Sequence, residues 1–324
     1  MNTKEEITNW LKTLQDEICE ALQTADGSAK FKEDIWERTE GGGGRSRVME
    51  NGCVIEKGGV MFSAVHGNVP DFLLNEKQHS ITHTQTLSEQ DTELRRLSGV
   101  EASRSIETPT FYATGVSIVI HPQNPFVPII HMNIRYFEMS NGTRWLGGGI
   151  DLTPHYINDE DARFFHEQLK MVCDKHHASL YPKFKTWADD YFYISHRKET
   201  RGIGGIFFDR LNSDDVLSFD KYMEFWKELG KTFAPIYTEL MARNKNKIFT
   251  EENKQWQLLR RGRYVEFNLV YDKGTKFGLE TNGRVESILM SLPANASWLY
   301  NYQVQENSAE ADTLSKLKKA INWA

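Results

Sequence analysis

The amino-acid sequence predicts an α+β fold, a single domain over residues 1–324 with a large, mostly antiparallel β-sheet. Three β-like stretches follow one another closely at residues 115–121, 131–139 and 145–152, and the second alternates with a period of two. Short connections favour antiparallel pairing, and the dipeptide Asn141-Gly142 between the last two stretches is typical of hairpins. Segments with helical periodicity lie before and after this block, so helices and sheet are expected to share one domain.

The N-terminal segment is predicted to be an amphipathic helix. Thr3 and Glu6 have the spacing of a capping box, and Asp26-Gly27 ends the pattern. The apolar residues between them recur every three or four positions, at Ile7, Leu11, Leu14, Ile18 and Leu22. Four glycines at 41–44 precede two short β-like stretches, at residues 47–56 and 59–66. Residues 68–100 are polar and mostly without periodicity, and we interpret them as a surface insertion.

The second half of the chain is predicted to alternate helices with strands. In chain order, the predicted elements are a helix capped by Asn158, a helix over 183–196, a strand over 202–211, a long helix over 219–245, a short helix over 251–263, a β block at 264–271, 277–281 and 284–290, and a helix over 308–322. Gly230 and Pro235 should bend the long helix.

Composition excludes several classes of protein. The 324 residues are enough to bury a core without disulfides, and the net charge of −6 argues against a general nucleic-acid binder. Cys19, Cys53 and Cys173 are far apart, so neither a disulfide framework nor a zinc ribbon is expected. No stretch reaches about 18 apolar residues, so we expect no membrane span. The first residues do not resemble a signal peptide, which favours a reducing, cytoplasmic compartment.

Arginine placement is the first feature that points to chemistry. Eight arginines lie in β-like, turn or glycine-rich contexts: Arg45, Arg47, Arg135, Arg201, Arg260, Arg261, Arg263 and Arg284. Because the guanidinium group matches carboxylate and phosphate geometry, the set indicates a pocket for a polyanionic small molecule. Ordinary ion pairing with the many acidic residues is the alternative for each arginine taken singly.

Glycines, histidines and one aspartate are weaker signals. The glycine runs at 41–44, 147–149 and 202–205 match neither a P-loop nor a dinucleotide-binding fingerprint. Of four histidines, His121 ends one β-like stretch and His131 begins the next, whereas His166 and His196 lie on the two following helical segments. They could form a metal site or act as separate hydrogen-bonding and acid–base groups. Asp151 follows three glycines and Ile150, where it either caps a turn or faces a ligand that carries N–H donors.

Several long blocks resemble the oxygen-dependent coproporphyrinogen III oxidase family. These blocks are GGGGRSR at 41–47, GVSIVIHPQNPFVP at 115–128, HMNIRYFE at 131–138, WLGGGIDLTPHY at 145–156, YFYISHRKETRGIGGIFFD at 191–209 and RRGRYVEFNLVYDKGTKFGLETNGRVESILMSLP at 260–293. The resemblance implies a sheet flanked by helices on both faces, an active-site cleft, and a homodimer formed through residues 264–298. It implies oxidative decarboxylation of two propionates of coproporphyrinogen III to vinyl groups, giving protoporphyrinogen IX in haem synthesis. Molecular oxygen is the expected acceptor, without an organic cofactor.

The same resemblance assigns roles to individual residues. The implied substrate contacts are Ser117, Asn133, Ile134, Arg135, Asn282, Gly283 and Arg284. The implied catalytic groups are His131 as proton donor, Asp151 as partner of the pyrrole N–H groups, and Arg135 on a reacting propionate. Bacterial members also imply a divalent metal cation on His121, His131, His166 and His196, although other accounts treat the family as metal-free.

Two positions depart from the family pattern, and two rival functions stay open. Gln123 stands where a second histidine is common, and Asn282-Gly283 where a glycine pair is common. One rival is a non-catalytic tetrapyrrole-binding protein. The other is a metal-dependent hydrolase or oxygenase that uses the histidines.

Overall fold

The computed structural model describes residues 3–69, 109–280 and 283–324. Its helices are α1 (Lys4–Asp26), α2 (Asp159–His176), α3 (Leu180–Tyr191), α4 (Phe219–Asn244), α5 (Glu251–Val270), α6 (Lys273–Glu280), α7 (Val285–Leu289) and α8 (Ala309–Lys316). Its strands are β1 (Lys32–Glu37), β2 (Gly42–Glu50), β3 (Ile55–Asn68), β4 (Thr110–Pro122), β5 (Ile129–Met139), β6 (Arg144–Thr153), β7 (Tyr193–Ile194), β8 (Glu199–Thr200) and β9 (Gly205–Leu211). The insertion predicted at 68–100 lies almost wholly outside the described residues.

Seven strands form one sheet in the order β1-β2-β3-β4-β5-β6-β9, and every pair is antiparallel. The first six strands pair in chain order. The last, β9, returns to β6 after α2, α3 and the small β7–β8 hairpin. The predicted α+β fold with a large antiparallel sheet is therefore confirmed.

The N-terminal helix forms as the sequence predicts. The Thr3 side chain accepts from the Glu6 backbone N–H at 3.2 Å, and the Glu6 carboxylate accepts from the Thr3 N–H at 2.8 Å. Gly27 ends α1 in the left-handed region, with φ of 80°. The apolar stripe of the helix, including Leu11 and Leu22, is buried in the main core.

Alternation along the strands gives the sheet two different faces. On the core face, Val116, Ile118 and Ile120 are fully buried and pack in a core that includes α1 and α4. The other face, here called the cleft face, carries partly exposed residues such as Ser117 and Asn133, which pair with each other across β4 and β5. Helix α5 covers one part of the cleft face, where its Tyr264 packs with Val119 and Ile129, so helices flank both faces of the sheet, as predicted.

The predicted β block over residues 264–290 is wrong, because α5 continues to Val270 and is followed by α6 and α7. Valine, tyrosine and phenylalanine in this stretch favour strands, but burial follows a helical spacing instead. Tyr264, Phe267 and Asn268 are buried, whereas Leu269 is exposed. Packing of this helical stripe on the sheet outweighs local β-propensity.

Several predicted boundaries shift by a few residues. The helix predicted over 183–196 is α3, which follows Ser179 and ends at Tyr191. The strand predicted over 202–211 begins only at Gly205, and the last predicted helix shortens to α8. The stretch predicted over 47–56 is interrupted by the turn between β2 and β3. Among the described residues, no helix is long and apolar enough to cross a membrane.

Asp26 joins the end of α1 to the start of β3. Its carboxylate accepts backbone N–H groups of Ala29 at 3.0 Å and of Val54 and Ile55 at 2.8 Å. Burial alone would raise the pKa of Asp26, but these backbone hydrogen bonds outweigh burial and hold the pKa well below 3.8. The ionised carboxylate therefore stabilises the folded state.

We expect Asp26→Ala to lower the free energy of unfolding by about 2–4 kcal/mol at pH 7, because several charge-assisted hydrogen bonds are lost. Since the folded-state pKa lies below the unfolded one, the contribution is complete above about pH 5 and disappears as the pH falls. Urea unfolding at several pH values measures this difference. Glu20→Ala, on the exposed side of α1, is the control and should change stability little. An equal loss in both variants would contradict the account.

Candidate active site

The cleft face carries a strip of small side chains on four strands, β2, β3, β4 and β6. Two adjacent cross-strand rows, which also carry Arg135, Asn133 and Met61, supply it: Gly44, Ser63, Gly115 and Gly147 from one, and Ser46, Ser117 and Gly149 from the other. We call these seven residues the small-residue strip. Because such residues project little above the backbone, a broad, flat ligand can approach the sheet at the partly exposed Gly115 and Ser117, whereas the Trp36 ring covers Gly44.

Asp151 lies beside one end of this strip and is almost fully buried. Its register partner on β5 is His131, whose Nδ1 lies 2.8 Å from Asp151 Oδ1. Arg201 Nη2 donates to both carboxylate oxygens at 2.7 Å. Burial alone would raise the pKa of Asp151, but the Arg201 charge and the hydrogen bond from His131 lower it below its usual value. The carboxylate is therefore ionised at neutral pH.

Arg201 is held from both sides by polar and aromatic groups. Its Nη1 donates to Asn268 Oδ1 at 2.9 Å, and the guanidinium carbon lies 4.4 Å from the ring centroid of Phe192. The Tyr264 and Phe267 rings are each 4.7 Å away. The three aromatic rings and the ion pair with Asp151 compensate for the cost of burying the Arg201 charge. Because Arg201 is held in this way, it fixes the orientation of the Asp151 carboxylate.

Arg135 stands within the strip, between Gly115 and Gly147 of the neighbouring strands. It donates to Asn133 Oδ1 at 3.0 Å and to Asp209 Oδ1 at 2.8 Å. A Cβ atom at Gly147 would lie 2.8 Å from Arg135 Nε and 2.7 Å from Asp209 Oδ1. Glycine at 147 therefore leaves room for a guanidinium group that lies along the sheet.

Arg284 lies at the opposite end of the strip, at the N-terminus of α7. It forms an ion pair with Asp34 on β1, and its Nη1 is 3.5 Å from Ser46 Oγ. The guanidinium carbon is 5.9 Å from the Trp36 ring centroid. Ser46 and Ser287 hydroxyls, 2.9 Å apart, join the same helix to the strip.

The other predicted substrate contacts fall into three groups. Ser117 and Asn133 are register partners on the cleft face. The Ile134 side chain is fully buried on the core face, so only its backbone could reach a ligand at the cleft. The Gly283 N–H donates to Gly278 O at 2.8 Å, and Asn282 lies outside the described residues.

The four histidines predicted as metal ligands do not converge. His166 uses both ring nitrogens, 3.0 Å from Tyr181 Oη and 3.0 Å from Ile203 O, and burial lowers its pKa to about 3. His121 Nε2 is 2.9 Å from Ser291 O, and burial together with the Arg261 charge lowers its pKa to about 3. His196 lies by Glu266 and Tyr271 at the surface. Within residues 3–69, 109–280 and 283–324, no three His, Cys, Asp or Glu side chains are placed to hold a metal.

Three participants were not singled out from the sequence as site residues. Arg201 appeared only among the eight arginines, and Asp209 and Asp34 not at all. The registers of β5 with β6 and of β6 with β9 bring Asp209 to Arg135, and the packing of α7 against β1 and β2 brings Asp34 to Arg284. These pairs are far apart in the sequence, so no local pattern predicts them. For Arg201 a signal was present, because the glycines that follow it indicate a backbone that lies close to a neighbouring strand.

Known proteins match this chain over its whole length. The family model for coproporphyrinogen III oxidase matches residues 6–323. The human mitochondrial oxygen-dependent coproporphyrinogen-III oxidase is 48% identical over 328 residues, covering 100% of this chain and 67% of the human protein. The chloroplastic oxygen-dependent coproporphyrinogen-III oxidase of soybean is 44% identical over 321 residues, covering 97% of this chain and 77% of the soybean protein. The chain therefore belongs to the coproporphyrinogen III oxidase family.

Proposed function

We propose that this chain is an oxygen-dependent coproporphyrinogen III oxidase that converts two propionates of its substrate to vinyl groups, giving protoporphyrinogen IX. The observation that carries the proposal is the small-residue strip, with Arg135 within it and Arg284 at its far end. Three strand spacings separate β2, beside Arg284, from β5, which carries Arg135, or about 14 Å. A flat tetrapyrrole with propionate arms bridges such a span, and it needs cations at its periphery.

Each decarboxylation balances without an organic cofactor. One propionate carboxylate, one dioxygen and one proton give one vinyl group, one carbon dioxide and one hydrogen peroxide. The electron-rich pyrrole reacts with dioxygen, the peroxide removes the hydrogen on the β carbon, and the bond to the carboxylate carbon breaks. Arg135 and Arg284 hold the propionates in place, so orientation is the main contribution of the protein.

Asp151 supplies negative charge beneath the reduced macrocycle. A carboxylate has about four lone-pair sites, and Arg201 and His131 occupy three of them. The remaining site suits one pyrrole N–H. Because an ionised carboxylate only accepts hydrogen bonds, His131 Nδ1 carries the proton in this pair. That leaves Nε2 of His131 to exchange the proton that each turn of the reaction consumes.

Aerobic incubation with coproporphyrinogen III tests the function directly. We expect protoporphyrinogen IX to form with two carbon dioxide molecules released per product, and no product under anaerobic conditions. Tight binding without vinyl formation would instead identify the rival, a non-catalytic tetrapyrrole-binding protein. Tight, stoichiometric metal without tetrapyrrole turnover would identify a metal-dependent enzyme.

We expect Asp151→Asn to lower turnover at least about 100-fold, because the negative charge under the ring and the orientation of His131 are both lost. Binding of coproporphyrin III, the oxidised ring, should weaken far less.

The variant leaves Arg201 unpaired, which costs about 3–5 kcal/mol of stability, so folding is checked by thermal unfolding. His131→Gln keeps the Asp151–Arg201 pair and tests the same proton path if Asp151→Asn fails to fold. Asp174→Asn on α2 is the control, and near-normal turnover of both site variants would remove this group from the mechanism.

A homodimer formed through residues 264–298 is also part of the proposal. Among the residues that the structure describes, fourteen large hydrophobic side chains are exposed; six of them lie within residues 264–298 and three more directly after, at 299–302. Exposed apolar residues concentrated in one segment support an interaction surface there.

We expect sedimentation equilibrium to show a dimer and Leu279→Asp to raise its dissociation constant by roughly 30-fold or more, because an unpaired charge would be buried. Ile248→Asp is the matched control, since Ile248 is 94% exposed but lies outside this segment. Equal effects of the two substitutions would contradict an interface at 264–298.

Domain boundaries and location stay predictions. One buried core extends from Ile7 in α1 to Leu317 after α8, which supports one domain over residues 1–324. The human and soybean relatives are named as mitochondrial and chloroplastic, so a cytoplasmic location is a prediction from the sequence alone.

A further inference from the structure

We propose that Asp34 is a substrate-mimicking carboxylate, which pairs with Arg284 in the absence of substrate and gives way when a propionate binds. The inference rests on the proposed function, because it assumes that Arg284 receives a propionate. It adds a residue on the edge strand β1 that sets the apparent affinity of the site for its substrate.

The ion pair bridges two elements at one end of the small-residue strip. Asp34 pairs in register with Ser46 on β2, and Arg284 is the N-terminal capping residue of α7. The Asp34 side chain is 54% exposed and that of Arg284 is 28% exposed. Asp34 is therefore a solvated carboxylate that can move away from Arg284 without being buried elsewhere.

Arg284 has fewer close acceptors than Arg135. Arg135 has two close acceptors, Asn133 and Asp209, at 3.0 and 2.8 Å. Among the described residues, the acidic side chain paired with Arg284 is Asp34, and its contact with the Ser46 hydroxyl is long, at 3.5 Å. A guanidinium group has five N–H donors in a fork that matches a carboxylate, so an arriving propionate offers Arg284 the same contact that Asp34 makes.

Competition between Asp34 and the substrate sets the sign of the change in affinity, and the energy of the ion pair sets its size. Exposed ion pairs contribute about 0.2–1 kcal/mol, so Asp34 competes with substrate only weakly. Removing that competitor should strengthen binding by up to about 5-fold. If Asp34 instead oriented Arg284 for substrate, its removal would weaken binding, so the two roles differ in sign.

Asp34→Asn keeps the shape of the side chain and removes its charge. We expect it to lower the KM for coproporphyrinogen III and the Kd for coproporphyrin III by about 2- to 5-fold, with kcat unchanged. The gain should vanish when Arg284→Gln is added, because there is no longer a guanidinium group for which to compete. Glu37→Gln is the control, since Glu37 is exposed on the same strand and pairs with Gly43 instead of Ser46. That control should leave both constants unchanged.

Two results with Asp34→Asn, and one with the control, would overturn the inference while the proposed function stands. One is a higher KM and Kd in Asp34→Asn. The other is unchanged constants in Asp34→Asn when Arg284→Gln alone weakens binding. An equal gain in affinity from Glu37→Gln would mean that the loss of any negative charge on β1 strengthens binding, and it would also overturn the inference. A wild-type protein without turnover would overturn the proposed function instead, and the Kd for coproporphyrin III would still decide the role of Asp34.

Discussion

The buried ion pair between Asp151 and Arg201 is the interaction on which the rest of the site depends. Both side chains are at most 3% exposed, so neither charge is tolerable without the other. Arg201 donates to both oxygens of the Asp151 carboxylate, and the carboxylate in turn accepts from His131 Nδ1, which therefore carries a proton. The aromatic rings that surround Arg201 belong to α5 and to the residue after α3. The ion pair therefore couples the sheet to the helices of the cleft face.

Charge placement explains how an acidic protein can bind a polyanion. The chain carries a net charge of −6, yet Arg135 and Arg284 lie along the small-residue strip, whose seven members are uncharged. Each of these two arginines is paired with an aspartate, Asp209 or Asp34, so the local charge is nearly balanced without substrate. A substrate with several carboxylates can exchange with such partners at low energetic cost. The specificity then depends on the number and spacing of carboxylates more than on net attraction.

Sequence reasoning succeeded where a local pattern determines structure and failed where distant contacts do. The capping box of Thr3 and Glu6 defined α1, and β-branched runs with short connections defined β4, β5 and β6. The residues after Arg263 misled because Val265, Phe267 and Val270 favour strands, whereas the buried side of α5 is spaced as a helix. The pairs of Arg284 with Asp34 and of Asp151 with Arg201 join residues 250 and 50 positions apart, which no local pattern encodes. The four histidines were predicted to share a metal site from the family resemblance. His166 instead lies in the core, where both of its ring nitrogens have hydrogen-bond partners.

A crystal structure with coproporphyrin III bound tests the central claim most directly. The account predicts that the macrocycle lies flat against Gly115, Ser117, Gly147 and Gly149, with one propionate on Arg135 and another on Arg284. A ring bound away from this strip, with no propionate oxygen within about 4 Å of either guanidinium group, would contradict it.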